Sequence, residues 1–152
     1  MFVLGFDDDD ERAGEATVRY ARKAGLTSIQ ALILTPFPGS RTFDEMEKAG
    51  RILFRDWAMY DTHHVVITHP TLSAERLQQM QLKAHWKFYS PPWILKHLLS
   101  GKLAVAAIAW YARMLNRNWT KDNSLYLKAI KLLKPSKELE IRLSLRKPCV
   151  IE

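Results

Sequence analysis

Two short polar stretches, each directly after an apolar run, carry the groups best placed to bind a ligand. Gly5 and Asp7 follow the first apolar run, and Thr35 and Pro36 follow the second. A glycine lets a ligand approach the backbone closely, and the N–H and C=O groups at a broken strand end are free to bind one. Each position also has a simpler interpretation, because turns and helix N-caps use the same residue types.

The histidines do not predict a metal site. His63 and His64 are adjacent on a segment expected to be extended, so their side chains point to opposite faces and do not easily ligate one ion. Together with His69 they are interpreted as structural or surface residues. His85 and His97 lie on separate predicted helices beside lysines and are interpreted as surface residues.

The spacing of apolar residues predicts two β/α units over residues 1–50. Apolar runs at 2–6 and 29–34 are typical of buried strands, and helical spacing follows each run. The run Asp7–Asp10 is expected to cap the first helix, and Thr42 begins a capping-box pattern for the second. Buried strands that alternate with amphipathic helices predict a parallel sheet.

The rest of the chain predicts a mostly helical extension. Ser73 is expected to cap a helix that ends before Pro91, and further helices are predicted near residues 103–115 and 124–133. The last residues alternate apolar and charged side chains, which favours a strand or a loosely ordered tail. These patterns divide the chain into an α/β portion, a helical extension and a tail: residues 1–55, 56–135 and 136–152.

Charge is divided unevenly along the 152 residues. Residues 1–76 contain 9 Lys or Arg and 12 Asp or Glu, whereas residues 77–152 contain 14 and 4, for a net charge of +7. Such asymmetry predicts two regions with different neighbours. The single cysteine, Cys149, excludes an intrachain disulfide and any cluster held only by cysteines of this chain.

Several short motifs lie in a fixed order along the chain: Phe2–Asp7, Leu32–Ser40, Gly50–Ile52, Asp56–Trp57, Tyr60–Val66 and Trp86–Ser90. Their order and spacing resemble the C-terminal part of radical S-adenosylmethionine (SAM) enzymes, in the subgroup that carries an upstream cobalamin-binding domain. The resemblance covers roughly residues 1–99. It implies that the two β/α units are the last part of a partial (β/α) barrel, followed by the basic helical extension.

The resemblance also implies a cofactor and a reaction. Such enzymes reductively cleave SAM at a four-iron, four-sulfur cluster, and the cobalamin subgroup often methylates unactivated carbons. By this resemblance Gly5 approaches the adenosyl group, Asp7 a ribose hydroxyl, and Thr35 and Pro36 the adenine edge. It assigns no catalytic residue and no metal ligand within the chain.

The sequence lacks the family's Cys-x-x-x-Cys-x-x-Cys loop and its cobalamin domain. We therefore expect a fragment of a cytoplasmic methyltransferase that forms part of the SAM site but cannot cleave SAM alone. The missing N-terminal barrel and cobalamin domain are its expected partners, and they supply the iron–sulfur cluster and cobalamin.

The alternative is a non-enzymatic module that binds a partner chain or an anionic membrane surface. Basic residues of the C-terminal half accompany Trp93, Trp110, Tyr111, Trp119 and Tyr126. Basic helices with interfacial aromatic residues suit peripheral contact with an anionic membrane, here the inner face or a lipid substrate, although a solvated helical face is the simpler interpretation. No nucleic-acid partner is expected, because no recognisable binding motif accompanies the charge.

Overall fold

A computed structural model describes residues 1–133, so the predicted tail over 136–152 lies outside the described residues. The strands and α-helices, in chain order, are β1 (Phe2–Leu4), α1 (Ala13–Lys23), β2 (Ala31–Ile33), α2 (Arg41–Lys48), α3 (Ala74–Phe88), α4 (Pro91–Leu99), α5 (Leu103–Asp122) and α6 (Ser124–Lys131), with a short 3-10 helix, Trp57–Met59, between α2 and α3. The described chain is mixed α/β and mostly helical. The predicted β-α-β-α order of residues 1–50 is confirmed.

The two strands form a parallel sheet in which Leu4 pairs with Ile33 and Phe2 with Ala31. The side chains of these paired residues point toward α1 and α3, where they join the main hydrophobic core. Val3 points to the opposite face and is 37% exposed. At Val3, therefore, helices cover one face of the sheet and the other face is partly exposed.

The two outer edges of the sheet differ. Along β2, the N–H of Ile33 donates to the C=O of Thr62 at 2.7 Å, and side chains of α3 bond to the backbone of Ala31. Along β1, the N–H of Phe2 and the C=O of Leu4 both face β2, which leaves the backbone of Val3 on the side where no described strand pairs. Within residues 1–133, the sheet is closed along β2 and open along β1.

The main core joins both halves of the chain through α3. Its fully buried members include Leu77 and Phe88 of α3, together with Val18 of α1 and Ala109 of α5. The backbones of α1 and α3 approach closely at Gly14, where an added Cβ would lie 2.7 Å from the Cγ of Met80. A smaller core packs Phe43 and Met46 of α2 against Tyr60, Val66 and Ile67.

The helix starts differ from the predicted caps in two places. The N-cap of α2 is Ser40, whose hydroxyl accepts the N–H of Phe43, and not Thr42. The N-cap of α1 is Arg12 and has no side-chain cap, so the aspartates do not cap this helix as predicted. At α3, however, Ser73 accepts the N–H of Arg76, which confirms the predicted cap.

Candidate functional site

The carboxyl ends of β1 and β2 lie side by side, which brings the predicted binding residues to one edge of the sheet. The N–H of Leu34 donates to the C=O of Leu4 at 2.8 Å, so Gly5 and Thr35 follow adjacent strand ends. A Cβ placed on Gly5 would be 3.7 Å from the Cβ of Leu34. The parallel arrangement explains this proximity, because the carboxyl ends of parallel strands meet at the same edge.

The turn after β1 is held by a carboxylate and a histidine. The N–H groups of Gly5 and Phe6 both donate to Oδ2 of Asp9, at 2.7 and 3.1 Å. Nδ1 of His69 accepts the N–H of Leu72 at 3.1 Å, so its proton is on Nε2, which donates to the C=O of Phe6 at 2.7 Å. The backbone leaving β1 is thus fixed from two directions, with Gly5 at φ +102°.

Asp7 lies beyond this turn and pairs with Arg51, the residue that follows Gly50 at the end of the second unit. Nη1 of Arg51 donates to Oδ2 of Asp7 at 2.8 Å, and the same guanidinium donates to the C=O of Thr68 at 3.0 Å. The hydrogen bond from Arg51 lowers the pKa of Asp7, which keeps this carboxylate ionised. It is half-exposed and can still accept a hydroxyl from a ligand.

Thr35 and Pro36 follow β2 and are both buried. The Thr35 hydroxyl donates to the C=O of Ile33 at 3.1 Å, which is a local bond that leaves the hydroxyl occupied. The backbone N–H of Thr35 has no hydrogen-bond acceptor within residues 1–133. This edge therefore carries one ionised carboxylate, one N–H without a partner among residues 1–133 and a glycine backbone, which together suit a neutral polar ligand such as a nucleoside.

A cavity of about 710 Å³ opens at the other end of the strands, where β1 and β2 begin, between α3 and α5. None of the four predicted binding residues lines it. Its polar and aromatic walls include His63, His85, Asn116 and Trp119, and the sequence did not single these residues out as a group. Within residues 1–133, Nδ2 of Asn116 is buried and has no hydrogen-bond partner.

Polar side chains of α3 bond to the backbone along the outer edge of β2 and form one wall of this cavity. Nε2 of Gln81 donates to the C=O of Ala31 at 3.0 Å, and the N–H of Ala31 donates to Nε2 of His85 at 3.1 Å. One turn later, the hydroxyl of Tyr89 accepts the N–H of Ile29 at 2.9 Å and donates to its C=O at 2.8 Å. We call these three side chains, Gln81, His85 and Tyr89, the edge seal.

His85 is therefore a partly buried side chain that accepts a backbone hydrogen bond, and it is not the surface residue that the sequence predicted. Burial, with a smaller contribution from nearby His63, lowers the pKa of His85 to about 4. Protonation of Nε2 would also remove the acceptor for the Ala31 N–H. The folded state thus prefers the neutral ring.

We expect the free energy of unfolding to fall as the pH is lowered from about 6.5, the ordinary pKa of His85, toward 4. Because the pKa is lower in the folded state, the stabilisation is complete above the unfolded value and is lost as the pH falls through the folded value. The expected loss is on the order of 2 kcal/mol. Urea unfolding at a series of pH values measures it. His85→Gln keeps a hydrogen-bond acceptor without a titrating ring, so an unchanged pH dependence in this variant would contradict the assignment.

The other histidines support the structural interpretation. Nδ1 of His64 lies 3.0 Å from Asp61 and its Nε2 lies 2.9 Å from Asn123, so both ring nitrogens have partners. Among the described residues there is no group of three or more His, Cys, Asp or Glu side chains that could hold a metal ion. A search of the same residues finds no helix that combines the length and the apolar character needed to span a membrane.

Comparison with curated proteins finds similarity to methyltransferases. The chain is 30% identical over 120 residues to the bacteriochlorophyllide d C-12(1)-methyltransferase of Chlorobaculum tepidum, which covers 79% of this chain and 25% of that protein. It is 30% identical over 94 residues, 62% of this chain and 20% of the relative, to an uncharacterized methyltransferase of Pyrococcus horikoshii. It is 29% identical over 85 residues, 56% of this chain and 18% of the relative, to the bacteriochlorophyllide d C-8(2)-methyltransferase of Chlorobaculum tepidum.

No family model matches the chain, and no solved structure matches it. The chain spans a quarter or less of the length of the curated relatives. These relatives are all named methyltransferases.

Proposed function

We propose that this chain is the C-terminal part of a cytoplasmic, cobalamin-dependent radical SAM methyltransferase. The observation that carries the proposal is the juxtaposition of two parallel strand ends in a sheet that, within residues 1–133, is open along β1 and closed along β2. The similarity of 79% of the chain to a named methyltransferase supports the same conclusion. On this proposal, residues 1–55 are the last two β/α units of a partial barrel, residues 56–135 are a helical extension, and residues 136–152 are a tail.

The asymmetry of the sheet supports its position at the end of a barrel. A free strand edge presents unpaired N–H and C=O groups, which pair readily with another strand. The edge seal occupies this position on β2, whereas no strand within residues 1–133 pairs with the outer edge of β1 at Val3, whose side chain is 37% exposed. We propose that a preceding strand of the parent barrel pairs with β1, and that β2 is the final strand.

The residues at the carboxyl edge suit the nucleoside part of SAM. Gly5 allows close approach to the backbone, the ionised carboxylate of Asp7 can accept a ribose hydroxyl, and the Thr35 N–H can donate to the adenine edge that Pro36 borders. SAM, when bound, supplies the 5′-deoxyadenosyl radical in enzymes of this type. The role of this chain is therefore to position the nucleoside at the end of the barrel.

The chain does not itself fit an iron–sulfur cluster, because a cluster loop with three cysteines cannot be built from Cys149 alone. We assign the cluster and cobalamin to the missing N-terminal barrel and cobalamin domain of the parent protein. The chain alone is accordingly proposed to be inactive.

The gene provides the first test of this proposal. We expect the DNA upstream of the Met1 codon to continue an open reading frame that encodes Cys-x-x-x-Cys-x-x-Cys. The product of that frame, reconstituted with iron and sulfide, should absorb as an iron–sulfur protein and release 5′-deoxyadenosine from SAM. A stop codon directly upstream, or a reconstituted product without this absorbance, would contradict the proposal.

Asp7→Asn tests the assigned site within that product. Loss of a charged acceptor should weaken SAM binding at least about tenfold, since hydrogen bonds to charged groups are the stronger ones. Asp8→Asn removes the same charge one residue away and is the matched control. Calorimetric titration with SAM measures both, and equal affinities for the two variants would contradict the role of Asp7.

A further inference from the structure

The turn between α4 and α5 exposes an unusual concentration of large apolar side chains. Leu99 is 79% exposed, Leu103 is 64% exposed, and Leu95 and Leu98 are each about half-exposed. Gly101 joins the two helices with φ +73° and forms a compact turn between them. We call residues 95–108 the hairpin tip.

The first half of α5 buries small side chains and exposes large apolar ones, which is the reverse of the pattern expected for a surface helix. Its buried residues are small, Ala106 and Ala109, whereas the large residues Ile108, Trp110 and Tyr111 are 54%, 67% and 56% exposed. A helix that is apolar around most of its circumference is normally covered. Within residues 1–133, the first half of α5 buries only its alanine side, so the large apolar side there is available for a surface outside the described residues.

The charged residues along the chain on both sides of the hairpin tip are all of one sign. No Asp or Glu occurs between Glu75 and Asp122, and this interval contains eight Lys and Arg residues. Lys96 and Lys102 flank the exposed leucines directly and are themselves exposed. This surface therefore combines an apolar tip with a positive surround, and it complements a surface that is apolar inside and anionic at its boundary.

We propose that the hairpin tip docks into an anionic phospholipid membrane. The leucines at residues 95–103 enter the boundary between headgroups and acyl chains, Lys96 and Lys102 contact phosphate groups, and Trp110 and Tyr111 lie at headgroup level. A lipid surface fits better than nucleic acid, because phosphate contacts alone do not explain the exposed leucines. The proposal goes beyond methyl transfer and does not depend on it, since it concerns where the protein is held.

Vesicle flotation of the purified chain tests the proposal. We expect flotation with vesicles of phosphatidylcholine and phosphatidylglycerol, and much weaker flotation with phosphatidylcholine alone. The double variant Leu99→Ser/Leu103→Ser should lower the partition coefficient at least about tenfold, because the apolar area of the tip is reduced. The matched control is Leu125→Ser/Leu132→Ser, which changes two leucines that are 79% and 85% exposed on or just after α6. It should stay within about twofold of the unmodified chain.

A second pair of variants tests the charges. Lys96→Gln/Lys102→Gln should weaken binding by about fivefold for each charge removed and reduce its sensitivity to salt. Lys23→Gln/Lys48→Gln, on exposed positions of α1 and α2, is the control. Circular dichroism verifies that all four variants are folded.

Absence of flotation with anionic vesicles would overturn the proposal, and so would equal losses in the tip and control variants. A stable dimer in light scattering that becomes a monomer in Leu99→Ser/Leu103→Ser, without flotation of the unmodified chain, would also overturn it. The tip would then be an interface between two copies of the chain.

Discussion

Gly5→Ala should lower the free energy of unfolding by about 3 kcal/mol. The φ of +102° at Gly5 lies outside the small left-handed region that other residues adopt with modest strain. An added Cβ would also lie 3.2 Å from Cδ2 of Leu77, a fully buried residue of α3 that has little freedom to move. Backbone strain and overpacking therefore act together, and urea unfolding measures the sum.

Gly39→Ala separates these two causes. Gly39 also has a positive φ, +81°, but an added Cβ would meet nothing within 4 Å. This control should therefore cost about 1 kcal/mol, from backbone strain alone. If the two variants lose the same stability, the contact with Leu77 does not restrict Gly5. If Gly5→Ala loses none, the described turn after β1 is wrong.

Tyr89→Phe should cost about 2–3 kcal/mol, although it removes a single oxygen atom. That oxygen is the partner of both the N–H and the C=O of Ile29, at 2.9 and 2.8 Å. Tyr89 is 4% exposed and Ile29 is 5% exposed, so water does not easily replace the lost bonds. The variant leaves two buried backbone groups unpaired while the ring packing is kept, which is the costly way to lose a hydrogen bond.

Tyr20→Phe is the matched control, because it removes the same atom from a side chain that is 64% exposed. Its effect should stay within about 0.5 kcal/mol. Chemical denaturation followed by circular dichroism compares the two variants. A loss below about 1 kcal/mol for Tyr89→Phe would mean that its hydroxyl does not seal the edge of β2.

The order of elements and the location of the candidate site could be predicted from local patterns. Apolar runs indicated the two strands, and parallel pairing then required Gly5 and Thr35 to be neighbours at one edge. The strands are shorter than those runs, at Phe2–Leu4 and Ala31–Ile33, because pairing involves only three residues of each strand. Whether SAM binds there depends on groups outside this sheet, so the binding roles remain predictions.

The edge seal could not be predicted in the same way. Gln81, His85 and Tyr89 recur every four residues, which shows only that they share one face of a helix. On most helices a polar face is solvated, and the sequence does not reveal that this one lies against the edge of a strand. The length of α5 was missed for a related reason. Apolar spacing ends near Leu115, but Trp119 packs 5.0 Å from the ring of His64, and this tertiary contact extends the helix to Asp122.

If a preceding strand pairs with β1, as proposed, the different edges of β1 and β2 within residues 1–133 make this unit an end piece with a single seam, the open edge of β1. If a protein chain is divided just before β1, the two pieces have one pair of complementary strand edges through which to reassociate, because the seal leaves no room for a strand beside β2. The two pieces can then pair in one way, and further strands can be added to the sheet only on the β1 side. A unit of this kind can be exchanged between related proteins as a cassette, provided that the strand on the other side of the seam keeps its register with Val3.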